Sequence, residues 1–289
     1  MDLSSQYTFF YPKPLITCRG KLLDFSETKI MGIINVTPDS FFDGGKYQSD
    51  KAILKRAESL IKDGASILDI GAMSTRPNAK VIGVREEISR LIPAIKAIRK
   101  EFNEVIISAD TFRATIAKQA VDSGADIVND ISGGTLDSNM FEMVGELKVP
   151  YVLMHIKGTP QNMQVNPTYK NVANDVLKFF TKQVHQLRMK GVNDIIIDPG
   201  FGFGKTTEHN YSLLNHLQDF QLFDCPILVG ISRKSMISKV IDVTSKNALN
   251  GTTVLHTLAL LNGANILRVH DAKAAMEAIK IVGQLKNRA

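Results

Sequence analysis

The stretch Lys29–Ala72, "KIMGIINVTPDSFFDGGKYQSDKAILKRAESLIKDGASILDIGA", holds one complete repeat of the architecture. It opens on a β-branched run that ends at Asn35, passes through a loop rich in Pro, Asp, Phe and Gly, and continues as "DKAILKRAESLIKDG". There the apolar residues recur at three- and four-residue spacing, which predicts an amphipathic helix. A second apolar run, "SILDIGA", follows at once. Strand, helix and strand in this order make a parallel unit, because the crossover must return the chain to the starting edge. Gly64, just before Ala65, fits the left-handed cap that closes such a helix.

The unit repeats to the C-terminus. After the first two strands come "VIISADT", "DIVNDIS", "YVLMHI", "DIIIDPG", "ILVGIS" and "NILRVH", so that eight runs alternate with helix-like stretches such as "VREEISRLIPAIKAIRKEF". Gly124 and Gly263 precede further strands in the way Gly64 does. Eight units in roughly 260 residues predict a (β/α)₈ TIM barrel. An open doubly wound sheet fits less well, because no G-x-G-x-x-G follows a strand. Residues 1–28 are expected to be an N-terminal hairpin extension, with "LITCRGKLLDFS" turning at Arg19-Gly20. No linker or low-complexity segment divides the chain, so residues 1–289 are expected to form a single domain.

The 289 residues are 44% hydrophobic, enough for a full core, and carry a net charge of +6 with a pI near 9.2. Lys and Arg are spread along the chain, which favours a phosphorylated small molecule over nucleic acid as the anionic partner. No run approaches a membrane span, and "MDLSSQYTFFYPKP" lacks the basic and apolar regions of a signal peptide. A soluble cytoplasmic protein is therefore expected. Cys18 and Cys225 show no metal-ligand spacing and are expected to be reduced thiols.

A barrel gathers the C-terminal ends of its strands on one face, where active sites are built. Those ends carry Asn35, Asp69, Asp110, Asn129, His155, Asp198, Ser232 and the pair Arg268/His270. Asp and Asn in such places also cap helices and hold turns. Taken together, Asp110, Asn129 and Asp198 offer a ring of donors and acceptors suited to a flat heterocycle with several N–H and carbonyl edges. Arg76, Lys234, Arg268 and His270 form a basic set suited to a polyphosphate. Arg233 is expected to be a surface or packing residue, and His185, His209, His216 and His256 to be ordinary helix residues.

"DPGFGFGKTT" ends like a nucleotide-binding phosphate loop, but Pro199 stands where that motif needs glycine. Gly200, Gly202 and Gly204 fit a tight backbone that brings Phe203 against a planar ligand, and Lys205 is at most a minor phosphate contact.

The segments "NVTPDSFFDGG", "DIGAMSTRP", "SADT", "VNDISGG", "MHIKGTPQNMQ", "DPGFGFGK", "SRKS" and "RVHD" resemble, in order and from residue 17 onward, the signatures of the dihydropteroate synthase family. The resemblance implies a (β/α)₈ barrel that joins 6-hydroxymethyl-7,8-dihydropterin diphosphate to p-aminobenzoate in folate biosynthesis, with Mg²⁺, as a homodimer targeted by sulfonamides. It implies Asn35 as the Mg²⁺ ligand, and Asp110, Asn129, Asp198 and Lys234 at the pterin edges, with Thr75 close to the diphosphate end. Arg76, Arg268 and His270 would hold the diphosphate, while Phe41, Pro77, Phe203, Lys234 and Ser232 would border p-aminobenzoate. Asp43 and Asp110 would face the positive charge left on the pterin, and Gly44-Gly45 would hinge the loop that carries Asp43. The chain departs from the family's pattern at Met73, where an acidic residue is usual.

Overall fold

The computed structural model describes residues 14–36, 46–73 and 81–286. Two short strands open it, β1 (Leu15–Cys18) and β2 (Lys21–Asp24), paired antiparallel from Leu15 opposite Asp24 to Cys18 opposite Lys21. The turn falls at Arg19 and Gly20, as expected, with φ of 55° and 70°. Two successive positive φ values match the hairpin turn whose twist agrees with that of the strands.

Eight parallel strands follow: β3 (Lys29–Asn35), β4 (Ile67–Gly71), β5 (Ile106–Asp110), β6 (Ile127–Asp130), β7 (Tyr151–Met154), β8 (Ile195–Asp198), β9 (Leu228–Val229) and β10 (Ile266–Val269). They pair in the order β8-β7-β6-β5-β4-β3-β10-β9. A parallel bridge between Ile197 and Ile227, with the Ile197 N–H 2.9 Å from the Pro226 carbonyl, joins β8 to the foot of β9 and closes the ring. The expected TIM barrel is therefore present.

One strand is shorter than its sequence suggests. "ILVGIS" reads as six extended residues, yet only Leu228 and Val229 pair as strand. Pro226 has no N–H to donate, and after Gly230 the chain bends into a turn in which the Lys234 N–H meets the Ile231 carbonyl. Ser232 thus leaves the sheet and rises toward the mouth.

Helices α1 (Lys46–Lys62), α2 (Val84–Glu101), α3 (Ala114–Asp122), α4 (Met140–Leu147), α5 (Val172–Met189), α6 (Thr207–Asn215), α7 (Ser235–Ser238), α8 (Leu249–Leu261) and α9 (Ala272–Lys286) return the chain between strands or end it. Helices α1, α3 and α8 close where glycine was expected to cap them, with φ of 101° at Gly64, 112° at Gly124 and 92° at Gly263. In each, the following Ala N–H reaches back five residues, as in Ala65 to the Leu60 carbonyl.

The main core lies between the strands and the helices, where outward-facing residues such as Ile34, Leu68 and Ile70 meet Leu60, Leu91 and Ile95. A second cluster fills the lower barrel. It takes Met31, Ile67, Ile106, Ile127, Val152, Ile196, Leu228 and Ile266, one from each barrel strand, and covers them with Ile16, Cys18 and Phe25 from the hairpin and the residues after it. The hairpin is tied on by the Thr17 N–H to Asp194 (2.6 Å) and by Arg19 to Asp126 (3.3 Å). The barrel therefore has an apolar, sealed floor.

His256 on α8 is an ordinary helix residue only in part. It is buried, its Nε2 has no hydrogen-bond partner among the described residues, and burial lowers its pKa to about 4 against an opposing pull from Asp271. Below about pH 6.5 the unfolded chain binds a proton here that the folded chain refuses until about pH 4. This group therefore removes stability as pH falls through that window. His256→Gln is expected to lose less melting temperature than the wild type between pH 7 and pH 4.5; parallel loss in both would refute the assignment.

Candidate active site

Successive strand residues face opposite sides, so every second residue of a barrel strand points to the axis. Two positions above the apolar floor, the inward residues are Ile33, Asp69, Ser108, Asn129, Met154, Asp198, Gly230 and Arg268. At this layer the interior changes from hydrocarbon to a mainly polar set, with Ile33, Met154 and Gly230 as its apolar members.

Asp69 is the hub of this polar ring. Its carboxylate has no exposure and accepts from Arg268 Nε at 2.6 Å, from Ser108 Oγ at 2.6 Å and from Asn129 Nδ2 at 3.1 Å. A buried charge is tolerated only when so compensated. The same guanidinium donates from Nη2 to Asp110 Oδ2 at 2.8 Å, so Arg268 bridges two carboxylates. Burial pulls the guanidinium pKa down, but Asp69 and Asp110 outweigh it and hold it above its ordinary value. Burial raises Asp110 to about 7, Asp69 adds to the rise and Arg268 opposes it. Two acids around one cation leave the second acid poised near neutrality.

Across the ring, Asp198 accepts the Gly200 N–H at 2.8 Å. Burial raises its pKa, and Lys234 is the chief opposing charge. Burial in turn lowers Lys234 to about 8 against the pull of Asp198. The Lys234 ammonium donates to the Phe201 carbonyl and stands 4.7 Å from the centroid of the Phe203 ring, a cation–π placement. Ser232 Oγ lies 3.0 Å from His270 Nδ1 and accepts the His270 N–H at 3.3 Å. Burial, with Arg268 next in effect, lowers His270 to about 4. At neutral pH it is an uncharged imidazole, so it can give a phosphate a hydrogen bond but no full charge, unlike the other members of the basic set.

Asn35 ends β3 with its side chain exposed. The strand register sets it opposite Gly71, Gly71 opposite Asp110 and Asp110 opposite Asn129. Gly71 leaves space on that row, since a Cβ there would come within 3.3 Å of the Asp110 carboxylate. Among the described residues no group of three or more His, Cys, Asp and Glu gathers as a metal cage. A lone amide oxygen at the mouth fits Mg²⁺, which keeps several waters and takes further oxygens from phosphates. Phe41, Asp43, Thr75, Arg76 and Pro77, with the Gly44-Gly45 hinge, lie outside the described residues.

The remaining expectations divide. The structure brings Asp110, Asn129, Asp198, Ser232, Lys234, Arg268, His270 and Phe203 to one mouth. Asp69, counted among the strand ends but given no task by its sequence context, organises them. The usable signal was its place two residues above Ile67 on an inward row. Arg233 is a packing residue as expected, paired with both oxygens of Asp271 and donating to the Ser245 and Lys246 carbonyls. Lys205 does not reach the mouth as a phosphate contact, because its ammonium is buried under the loop that follows β8. Thr206 caps α6 by accepting the His209 N–H, so "GKTT" is a helix start and not a phosphate loop. Met73 is nearly buried at 9% exposure, in keeping with an apolar residue there.

Comparison with known proteins agrees with this geometry. Residues 31–270 match the family model described as pterin binding enzyme. The chain is 42% identical to a dihydropteroate synthase of Synechocystis sp. over 289 residues, 99% of each chain. A solved dihydropteroate synthase of Xanthomonas albilineans with 4-aminobenzoic acid superposes with a TM-score of 0.88 at 35% identity, covering 95% of this chain and 98% of that one. A structure of the enzyme from the same organism in complex with 7,8-dihydropteroate gives a TM-score of 0.84 at 33% identity, covering 94% and 99%.

Proposed function

The chain belongs to the dihydropteroate synthase family of pterin-binding enzymes, and we propose how its own residues carry out that family's reaction. It is a transferase that condenses 6-hydroxymethyl-7,8-dihydropterin diphosphate with p-aminobenzoate, giving 7,8-dihydropteroate and pyrophosphate for folate synthesis. The observation that carries the residue roles is the ring Asp69–Arg268–Asp110 facing Asp198–Lys234 across one mouth.

The pterin lies in that ring. Asp110 and Asp198 accept from its N–H edges, Asn129 and Lys234 meet the remaining polar atoms, and the Arg268 guanidinium flanks its face. Arg268 and His270, with Thr75 and Arg76, hold the diphosphate. Mg²⁺, when bound by Asn35 and phosphate oxygens, supplies Lewis-acid stabilisation of the leaving group. The chain's own share is to neutralise the departing diphosphate with Arg268 and a hydrogen bond from His270.

Bond breaking precedes attack, in an S_N1-like course. The positive charge left on the pterin is met by Asp110, and by Asp43 on the loop carrying "DSFFDGG". The arylamine needs no strong base, because it is already nucleophilic; it needs placement. Phe203, the Lys234 stem, Phe41 and Pro77 border its ring, and Ser232 lies near its carboxylate. These roles are grouped in one domain of a cytoplasmic enzyme. Val254, Leu258 and Leu261, exposed on α8, support pairing of two copies as a homodimer.

A coupled pyrophosphate assay tests the reading. Release is expected only when pterin diphosphate, p-aminobenzoate and Mg²⁺ are all present, with 7,8-dihydropteroate formed in equal amount. Release that ignores p-aminobenzoate would refute it.

A further inference from the structure

The loop Gly200–Gly204 contains three glycines, a composition that ordinarily gives a loose chain. Its carbonyls say otherwise. All five in succession accept a hydrogen bond from a side chain: Gly200 from Lys205 (2.8 Å), Phe201 from Lys234, Gly202 from Gln164 (2.6 Å), Phe203 from Lys205 (3.1 Å) and Gly204 from the Tyr169 hydroxyl (2.8 Å). The glycines, at φ of 71°, 82° and 65°, let the loop press on the chain after β7. A Cβ at Gly200 would sit 1.9 Å from the His155 carbonyl, and one at Gly204 would sit 2.5 Å from that of Lys157.

Lys205 is the centre of this arrangement. It is buried at 3% exposure, and besides the two loop carbonyls its ammonium lies 2.9 Å from His155 Nδ1 and 3.4 Å from the His155 carbonyl. The His155 ring is itself held edge-on by Phe179 at 4.9 Å. Burying an ammonium costs several kcal/mol unless its protons are all received. A residue needed only to fill space would be served by Met or Leu; this one fixes the carbonyl of Phe203 to the backbone of the neighbouring strand end. Phe203, at 7% exposure, then rests on Met154, Ile156 and Met163 beneath the Lys234 ammonium.

We propose that Lys205 is a positioning residue of the arylamine subsite, setting the height and tilt of the Phe203 ring through the Gly200 and Phe203 carbonyls while touching neither substrate. This rests on the reading that p-aminobenzoate is held beside Phe203 and Lys234. The pterin subsite is less affected, because Lys234, not Lys205, is the leading cation at Asp198.

The test is Lys205→Met in full-length enzyme, with each substrate varied at saturation of the other. KM for p-aminobenzoate is expected to rise about tenfold or more, with KM for pterin diphosphate within about twofold. Loss of melting temperature or of active fraction with both KM values unchanged would mean a structural role only and overturn the proposal. If Lys205→Met does not fold, Tyr169→Phe decides, since it removes one bond at the far end of the same loop. A several-fold rise in the p-aminobenzoate KM alone supports the proposal, and unchanged constants overturn it. Failure of the underlying reading shows differently, as wild-type enzyme that releases no pyrophosphate with p-aminobenzoate.

Discussion

Arg268→Met should abolish turnover and also strip stability from the barrel, and the two losses should be separable. The Arg268 guanidinium satisfies Asp69 at 2.6 Å and Asp110 at 2.8 Å, and Asp69 has no exposure to water. Removing the cation leaves two neighbouring carboxylates facing each other, and breaking a buried pair in this way costs about 3–5 kcal/mol. Part of that cost is avoided if one acid takes up a proton, so the loss should be larger at pH 8 than at pH 6. The loss in kcat/KM for pterin diphosphate should be about a thousandfold or more, because in the proposed binding mode the same group faces the diphosphate and the pterin. Adding Asp69→Asn to Arg268→Met should return much of the melting temperature and none of the activity. A single variant with wild-type melting temperature would remove Arg268 from the centre of the ring; one with wild-type kcat/KM would remove it from the reaction.

Asp110→Asn should weaken pterin diphosphate binding, measured by calorimetry without p-aminobenzoate, by about a hundredfold. That corresponds to roughly 2–3 kcal/mol, the worth of hydrogen bonds to a charged acceptor that an amide replaces poorly. The pH dependence carries more information than the size. Burial and Asp69 raise the Asp110 carboxyl to about 7, so in the free enzyme it is largely protonated at pH 6 and ionised at pH 8. An N–H edge needs the ionised form as acceptor. Affinity should therefore rise with pH through about 7 and level off above it, and the slope should vanish in Asp110→Asn. The linkage to folding has the opposite sign: a carboxyl held above its usual value contributes most at low pH and loses that contribution as pH rises through about 7. A pH-independent affinity in the wild type would place the pterin contact on another group.

The barrel was legible in the sequence because its strands are buried on both faces and its helices are amphipathic, so the two patterns alternate without ambiguity. The turn at Arg19-Gly20 and the caps at Gly64, Gly124 and Gly263 were legible because they need positive φ, which few residues adopt. The short β9 was not, since "ILVGIS" has the composition of a strand and only the constraint at Pro226 and the turn after Gly230 interrupt it. At the site, the strand-end rule located Asp110, Asn129, Asp198 and Arg268 but could not rank them. The dominance of Asp69 depends on which side chains converge on it from β5, β6 and β10, a three-dimensional fact with no local signature. Pro199 was enough to set aside the phosphate-loop reading of the segment ending in Lys205, but that the Lys205 side chain turns back onto the Gly200 and Phe203 carbonyls is again a three-dimensional fact.

The sealed floor has a consequence for traffic. With Ile16, Cys18 and Phe25 closing the barrel from below, the described residues leave the polar ring open at the other end only. A heterocycle bound at the level of Asp69 and Asp110 must pass the rim where Phe203 and Ser232 stand, and an arylamine seated at that rim would bar its way. In the proposed binding mode arrival would be a queue, pterin first and arylamine second, and the joined product would leave by the same door before another pterin could enter.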